Sequence, residues 1–165
     1  MSKENMKYLQ GEEEFAEMSE EIIGRPDPLF IVLTYDNDKL EKTHNYIQWL
    51  FPLSKPSKVI PKAPILSQEE IEEIKKNPNM IANIRKGLGV MLRFFRETDW
   101  VISPHNYRRI SRILECLKQF DMQYEARLFY TIILKKAAYE HPILSKTIMK
   151  KSKEKYWDKI VEGWI

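Results

Sequence analysis

Apolar residues recur along most of this chain at intervals of three and four and almost nowhere at intervals of two, which predicts helices and no secure strand. The densest stretch runs from Thr43 to Leu53. Leu40, His44, Ile47 and Phe51 fall at i, i+4, i+7 and i+11 on one stripe, while Tyr46, Trp49 and Leu50 cover much of the remaining circumference. A helix that is apolar nearly all round is a buried, central one. Asp36-Asn37-Asp38 supplies capping groups, and Asp38-Lys39-Leu40-Glu41 has the acid-x-x-Glu spacing of a capping box. Pro52 closes the segment, because the residue before a proline is pushed out of the α region.

The same pattern divides the rest of the chain. Phe15, Met18, Ile22 and Ile23 suggest a short, marginal helix ahead of the breaker Gly24-Arg25-Pro26-Asp27-Pro28. The run Leu29 to Leu33 fits a strand or a short helix by periodicity; Pro28 at N1 with Asp27 as cap favours the helix. Pro52, Pro56, Pro61 and Pro64 make a stiff, extended connection. Ser67-Gln68-Glu69-Glu70 is a capping box that opens a helix with Ile71 and Ile74 inward. Asn77-Pro78 stops that helix and starts another, with Ile81, Ile84, Leu88, Met91 and Phe95 on one face. Gly87 and Gly89 interrupt it at roughly 1 kcal/mol each relative to Ala, and read as a crossing point with another helix. Ser103-Pro104 repeats the cap-then-proline signal before Ile110, Ile113, Leu114 and Leu117, with His105, Arg108, Arg109 and Arg112 on the other side. After the turn at Asp121-Met122, Ala126, Phe129, Tyr130, Ile133 and Ala137 mark an antiparallel return. His141-Pro142 opens a last, lysine-rich helix with Ile148, Trp157, Ile160, Val161 and Trp164 along its apolar side. The expected fold is all-α: an irregular or orthogonal bundle of roughly six to seven helices around a central buried one.

The chain's 165 residues suit one domain with a real core, divided into an acidic part (residues 1–35), a central part (36–134) and a basic final helix (141–165). The 43% hydrophobic content excludes a disordered chain. The lone Cys116 forms no internal disulfide, lies among helical apolar residues, and reads as a core thiol in a reducing compartment. With no apolar run of spanning length and no signal peptide visible at the start, the expectation is a soluble, intracellular, cytoplasmic protein. The net charge of +3 argues weakly for any partner, but it is unevenly spread. Residues 1–24 carry seven acids against two lysines, and residues 135–165 carry eight lysines against four acids. These ends read as solvated faces.

Candidate chemistry is sparse. His44, His105 and His141 are the only histidines, and no spacing among them or with Cys116 makes a metal site, so no metal or cofactor is expected. No nucleophile elbow, oxyanion element or phosphate cradle is visible, and the reading leans away from an enzyme. The best polar constellation is His44, Asn45, Gln48 and Trp49 with His105, Asn106, Arg109 and Arg112. His105, Arg109 and Arg112 share a helix face; were that face to meet His44 and Gln48, an anion could be held by arginine forks. The plainer reading makes His44 a buried structural imidazole and the arginines partners of Glu41, Glu115 or Asp99. Lys146 to Lys159 with Tyr156 and Trp157 form a basic, aromatic helix, but interspersed acids make a solvated face the stronger reading over nucleic acid.

His44-Asn45-Tyr46-Ile47-Gln48-Trp49-Leu50-Phe51-Pro52-Leu53 resembles the hallmark segment of the opioid growth factor receptor conserved domain. The likeness continues through Lys55-Pro56-Ser57, Ala63-Pro64-Ile65-Leu66, Met91-Leu92-Arg93-Phe94-Phe95, His105-Asn106, Arg109-Ile110, Arg112-Ile113-Leu114 and Ala126-Arg127-Leu128-Phe129-Tyr130. Arg96-Glu97-Thr98-Asp99 and Asp121-Met122 depart from the family's usual local turns. The receptor that names the family is described as binding the pentapeptide Met-enkephalin and inhibiting growth from the nucleus and its envelope. This chain is similar to compact members without the C-terminal repeats. The resemblance implies a non-enzymatic, receptor-like domain with a peptide or protein partner, and it transfers no catalytic residues. An anionic small-molecule site is the alternative.

Overall fold

The computed structural model describes residues 4–11, 26–60 and 63–163, and among these residues every regular element is helical. The expected helix over Phe15 to Ile23 falls outside them. The chain divides into two compact units, Met1–Val90 and Met91–Ile165.

In the first unit, α1 (Glu4–Gln10) buries Met6, Tyr8 and Leu9 and ends at Gly11, whose φ of +73° lets its N–H return to the Tyr8 carbonyl at 3.0 Å. α2 (Leu29–Val32) buries Leu29 and Val32. Asp27 does not cap it; its carboxylate accepts from the Tyr35 hydroxyl instead. α3 (Asn37–Lys42) starts from Asp36, whose carboxylate accepts from the Lys39 N–H at 2.8 Å. The working cap is therefore two residues ahead of the expected Asp38 box.

The predicted central rod is not continuous. Thr43 turns extended (φ −94°, ψ 130°), and helix resumes only for the single turn α4 (Ile47–Leu50). Burial explains the break. A straight helix with apolar groups all round needs neighbours all round, whereas a kinked one folds its own rings inward. Tyr46 is fully buried and donates its hydroxyl to the Leu40 carbonyl at 2.7 Å, the acceptor that the His44 N–H would have used in an unbroken helix. Ile47, Gln48, Trp49 and Leu50 are all buried, and Phe51 leaves the α region ahead of Pro52 as expected. Each large apolar side chain buried here is worth about 1.5–3 kcal/mol.

α5 (Gln68–Lys76) carries both bonds of the Ser67–Glu70 capping box, and Asn77 caps α6 (Pro78–Glu97) by accepting from the Asn79 and Met80 N–H groups at 3.0 and 3.1 Å. The two glycines of α6 differ. A Cβ on Gly87 would sit 3.2 Å from Leu50 Cδ2, so α4 and α6 do cross closely there, but nothing lies within 4 Å of Gly89.

In the second unit, a 3₁₀ turn (Trp100–Ile102) precedes α7 (His105–Gln119) and α8 (Gln123–Glu140). Asp121 holds the left-handed position (φ 56°) between them. The Met122 N–H reaches the Leu117 carbonyl at 2.8 Å and the Asp121 N–H the Lys118 carbonyl at 3.1 Å, the two bonds of a Schellman motif. The predicted final helix is broken into α9 (Pro142–Lys146), α10 (Ile148–Ser152), a π turn (Lys153–Trp157) and α11 (Asp158–Ile160). Thr147 (φ −118°, ψ −95°) resets its face, so Met149 is buried and Ile148 is exposed, the reverse of the expectation. The core is threaded by aromatic rings meeting edge to face. Phe94, Phe95, Trp100, Tyr107 and Trp157 follow one another at centroid distances of 5.2, 5.4, 6.2 and 5.9 Å.

Candidate functional site

The eight residues singled out by the sequence occupy two settings. In the first unit, His44, Asn45, Gln48 and Trp49 lie on the kink between α3 and α4. His44 is exposed, not buried on an apolar stripe, because the kink turns it out of the helix. Gln48 is buried and its Nε2 donates to the His44 carbonyl at 3.3 Å, bracing the kink. Trp49 is buried against Tyr8 of α1, with ring centroids 5.8 Å apart, and its carbonyl accepts from Asn5 Nδ2 at 3.3 Å.

In the second unit, His105, Asn106, Arg109 and Arg112 lie along α7, but not on one open face. His105 is exposed at the first turn. Asn106 is fully buried and donates to the Trp100 carbonyl at 3.3 Å, tying α7 to the 3₁₀ turn. Arg109 was expected on the outer side and is buried, its guanidinium 5.9 Å from the Phe94 ring. The reason is the width of the buried face of α7, which runs from Asn106 through Arg109, Ile113 and Cys116. Arg112 is half-buried, and desolvation lowers its pKa against the opposing influence of Cys116 and Glu115. Cys116 is fully buried, and burial pushes its thiol far above the ordinary range, so it is a core group.

Several organising polar residues lay outside the sequence reading. Asn83 donates to the Leu9 carbonyl and, with Asn5, fastens α1. Their signal was the pattern Met6, Tyr8, Leu9 ending at Gly11. Lys136 donates to the Phe95 carbonyl at 3.0 Å and to that of Thr98, closing the end of α6. Asp99, Glu140 and His141 bring three ligand atoms within 4.8 Å of one another, a grouping their separation in sequence concealed. The Lys136 ammonium, 3.4 Å from Glu140, already supplies a cation to that corner. In the same unit Asp158 accepts from the Tyr130 hydroxyl and from Lys153 at 2.9 Å. No helix of the described residues is long and apolar enough to cross a membrane.

Residues 4–98 match the family model of the opioid growth factor receptor conserved region, a span that begins at α1 and takes in the whole kinked segment. The chain belongs to this family. Among relatives, opioid growth factor receptor-like protein 1 of Rattus norvegicus is 34% identical over 127 residues, covering 66% of this chain and 27% of that protein. The opioid growth factor receptor of Mus musculus is 27% identical over 128 residues, covering 66% of this chain and 20% of its own length. That of Homo sapiens is 29% identical over 113 residues, covering 55% and 16%. The chain therefore spans about a quarter or less of the relatives it matches. No solved structure matches it. Within the opioid growth factor receptor family segment, Asn5, Gln48 and Asn83 all fasten backbone.

Proposed function

We propose that this chain is a non-enzymatic binding domain whose partner is a peptide or protein. The observation that carries the reading is the match of residues 4–98 to a conserved region of proteins named as receptors. The first unit supports it by holding apolar side chains in solvent: Phe30 is 52% exposed, Val59 49% and Ile65 47%, a supply of contact area that a folded chain does not need for itself. The test is a peptide array and affinity capture with the full chain and the Phe30→Ser/Ile65→Ser variant. Retention of a defined peptide or protein by the wild type, weakened in the variant, is expected. Background-level retention on every probe, or equal retention by both proteins, overturns it.

A second reading, an anionic ligand, takes up the half-buried guanidinium of Arg112, a fork that a carboxylate or phosphate could share with Glu115. His105, Asn106, Arg109 and Arg112 are the candidates in the second unit; His44, Asn45, Gln48 and Trp49 remain the candidates in the first. Melting in sulfate, phosphate and citrate tests it: a rise in Tm that saturates and disappears in Arg112→Gln is expected, and an unsaturable rise common to both proteins overturns it.

A further inference from the structure

We infer that the last third of the second unit presents a phosphate-backbone contact face for single-stranded nucleic acid, built from Lys146, Lys151, Lys155 and Lys159 around the exposed ring of Tyr156. Interspersed acids argue against such a face, but two of the three from Lys146 onward, Glu154 and Asp158, are taken up by other lysines, and only Glu162 beyond α11 is not. Glu154 sits 3.5 Å from Lys150, and Asp158 is taken by Lys153 at 2.9 Å and by the Tyr130 hydroxyl. The acids of α10, the π turn and α11 therefore neutralise lysines other than these four. Among the described residues Lys146, Lys151, Lys155 and Lys159 have no carboxylate partner, and all four are exposed.

The π turn sets the geometry. Its wider winding keeps Trp157 fully buried, with Nε1 donating to the Ser111 hydroxyl at 3.0 Å and the Tyr107 carbonyl at 3.3 Å, while Lys155 and Tyr156 both stay outside. Tyr156 is 48% exposed, and the Lys155 ammonium lies 5.2 Å from its ring centroid. An ammonium lying over a half-exposed tyrosine ring sets a phosphate contact and an aromatic surface for a base in one place. Lys151, Lys155 and Lys159 follow at intervals of four residues through α10, the π turn and α11, a run of cations that a flexible single strand can track. The face holds lysine and no arginine, so no bidentate reading of base edges is built in and the contact is independent of sequence.

The test is fluorescence polarisation of a labelled oligothymidylate with the full chain across a salt series. Expected is saturable binding at low salt whose log K falls against log salt with a slope of about −2 to −3, three to four phosphates at about −0.7 each. The Lys151→Gln/Lys155→Gln/Lys159→Gln variant should lose about 2 of that slope, and Tyr156→Ala should weaken binding about tenfold with the slope unchanged. Single lysine variants, each lowering the slope by about 0.7, keep the result readable if the triple variant shows altered circular dichroism. No saturable binding at low salt, a slope unmoved by the lysine variants, or equal binding of a polyglutamate peptide with Tyr156→Ala silent overturns the inference.

Discussion

Single atoms decide the shape of the family segment. The Leu40 carbonyl has two suitors: the His44 N–H, which would extend α3, and the Tyr46 hydroxyl, which is the one found. Tyr46 wins because its ring is buried in the same move, whereas the helical alternative would leave an apolar cylinder with too few neighbours. Tyr46→Phe keeps the ring and removes the donor that the buried Leu40 carbonyl accepts from. A loss of about 1–2 kcal/mol is expected from urea denaturation; a change below about 0.3 kcal/mol, the usual scatter between independent sites, would show that the ring alone makes the kink. Asp121 offers a second residue-scale test. It occupies a left-handed position that short polar residues tolerate and β-branched ones do not. Asp121→Val should cost about 1–3 kcal/mol, and unchanged stability would mean that the α7–α8 turn re-forms in another geometry.

At the scale of elements, the glycines of α6 separate packing from propensity. Gly89 faces open space, so Gly89→Ala should gain about 1 kcal/mol through helix propensity and reduced freedom of the unfolded chain. Gly87→Ala receives the same gain but sets a methyl 3.2 Å from Cδ2 of Leu50, a side chain with no exposure and little room to yield. Its net effect should be near zero or unfavourable; equal thermal shifts for the two variants would dismiss the close crossing of α4 and α6. The sequence showed these helices because their signals are local: the Ser67 box, the Asn77-Pro78 start, and the three-four spacing of Ile84, Leu88, Met91 and Phe95. It hid the kink at Thr43 and the reset at Thr147, since both follow from which tertiary neighbours are present. Periodicity read through those breaks made His44 a core residue and Ile148 an inward one. Burial of Arg109 was illegible for the same reason, because a face wide enough to enclose an arginine is a property of α7 and its neighbours together. Asp99, Glu140 and His141 show the converse, a cluster made by folding alone from residues about forty positions apart.

Among the described residues the buried thiol and the buried phenols shift in one direction. Burial raises Tyr8, Tyr35, Tyr107, Tyr130 and Cys116; the carboxylates of Asp27 and Asp158 add to it at Tyr35 and Tyr130. A group raised in the folded chain contributes stability that is complete below its unfolded pKa and is lost as pH climbs toward the folded value. Both units should therefore be alkali-sensitive, with the loss divided by pH. Unfolded cysteine titrates near 8.5 and tyrosine near 10, so from about pH 7.5 to 9 the unfolded chain gains chiefly from releasing the Cys116 proton. One proton corresponds to a limiting slope of about 1.4 kcal/mol per pH unit, which makes roughly 1 kcal/mol over that interval before the tyrosines steepen the fall. Cys116→Ala leaves a small cavity and lowers stability throughout, yet it removes the thiol that dominates below the tyrosine range, so its urea midpoints should be nearly flat from about pH 7.5 to 9 while those of the wild type decline. Parallel curves for the two proteins would place the alkaline loss elsewhere, and would mean that the thiol of Cys116 reaches solvent without unfolding.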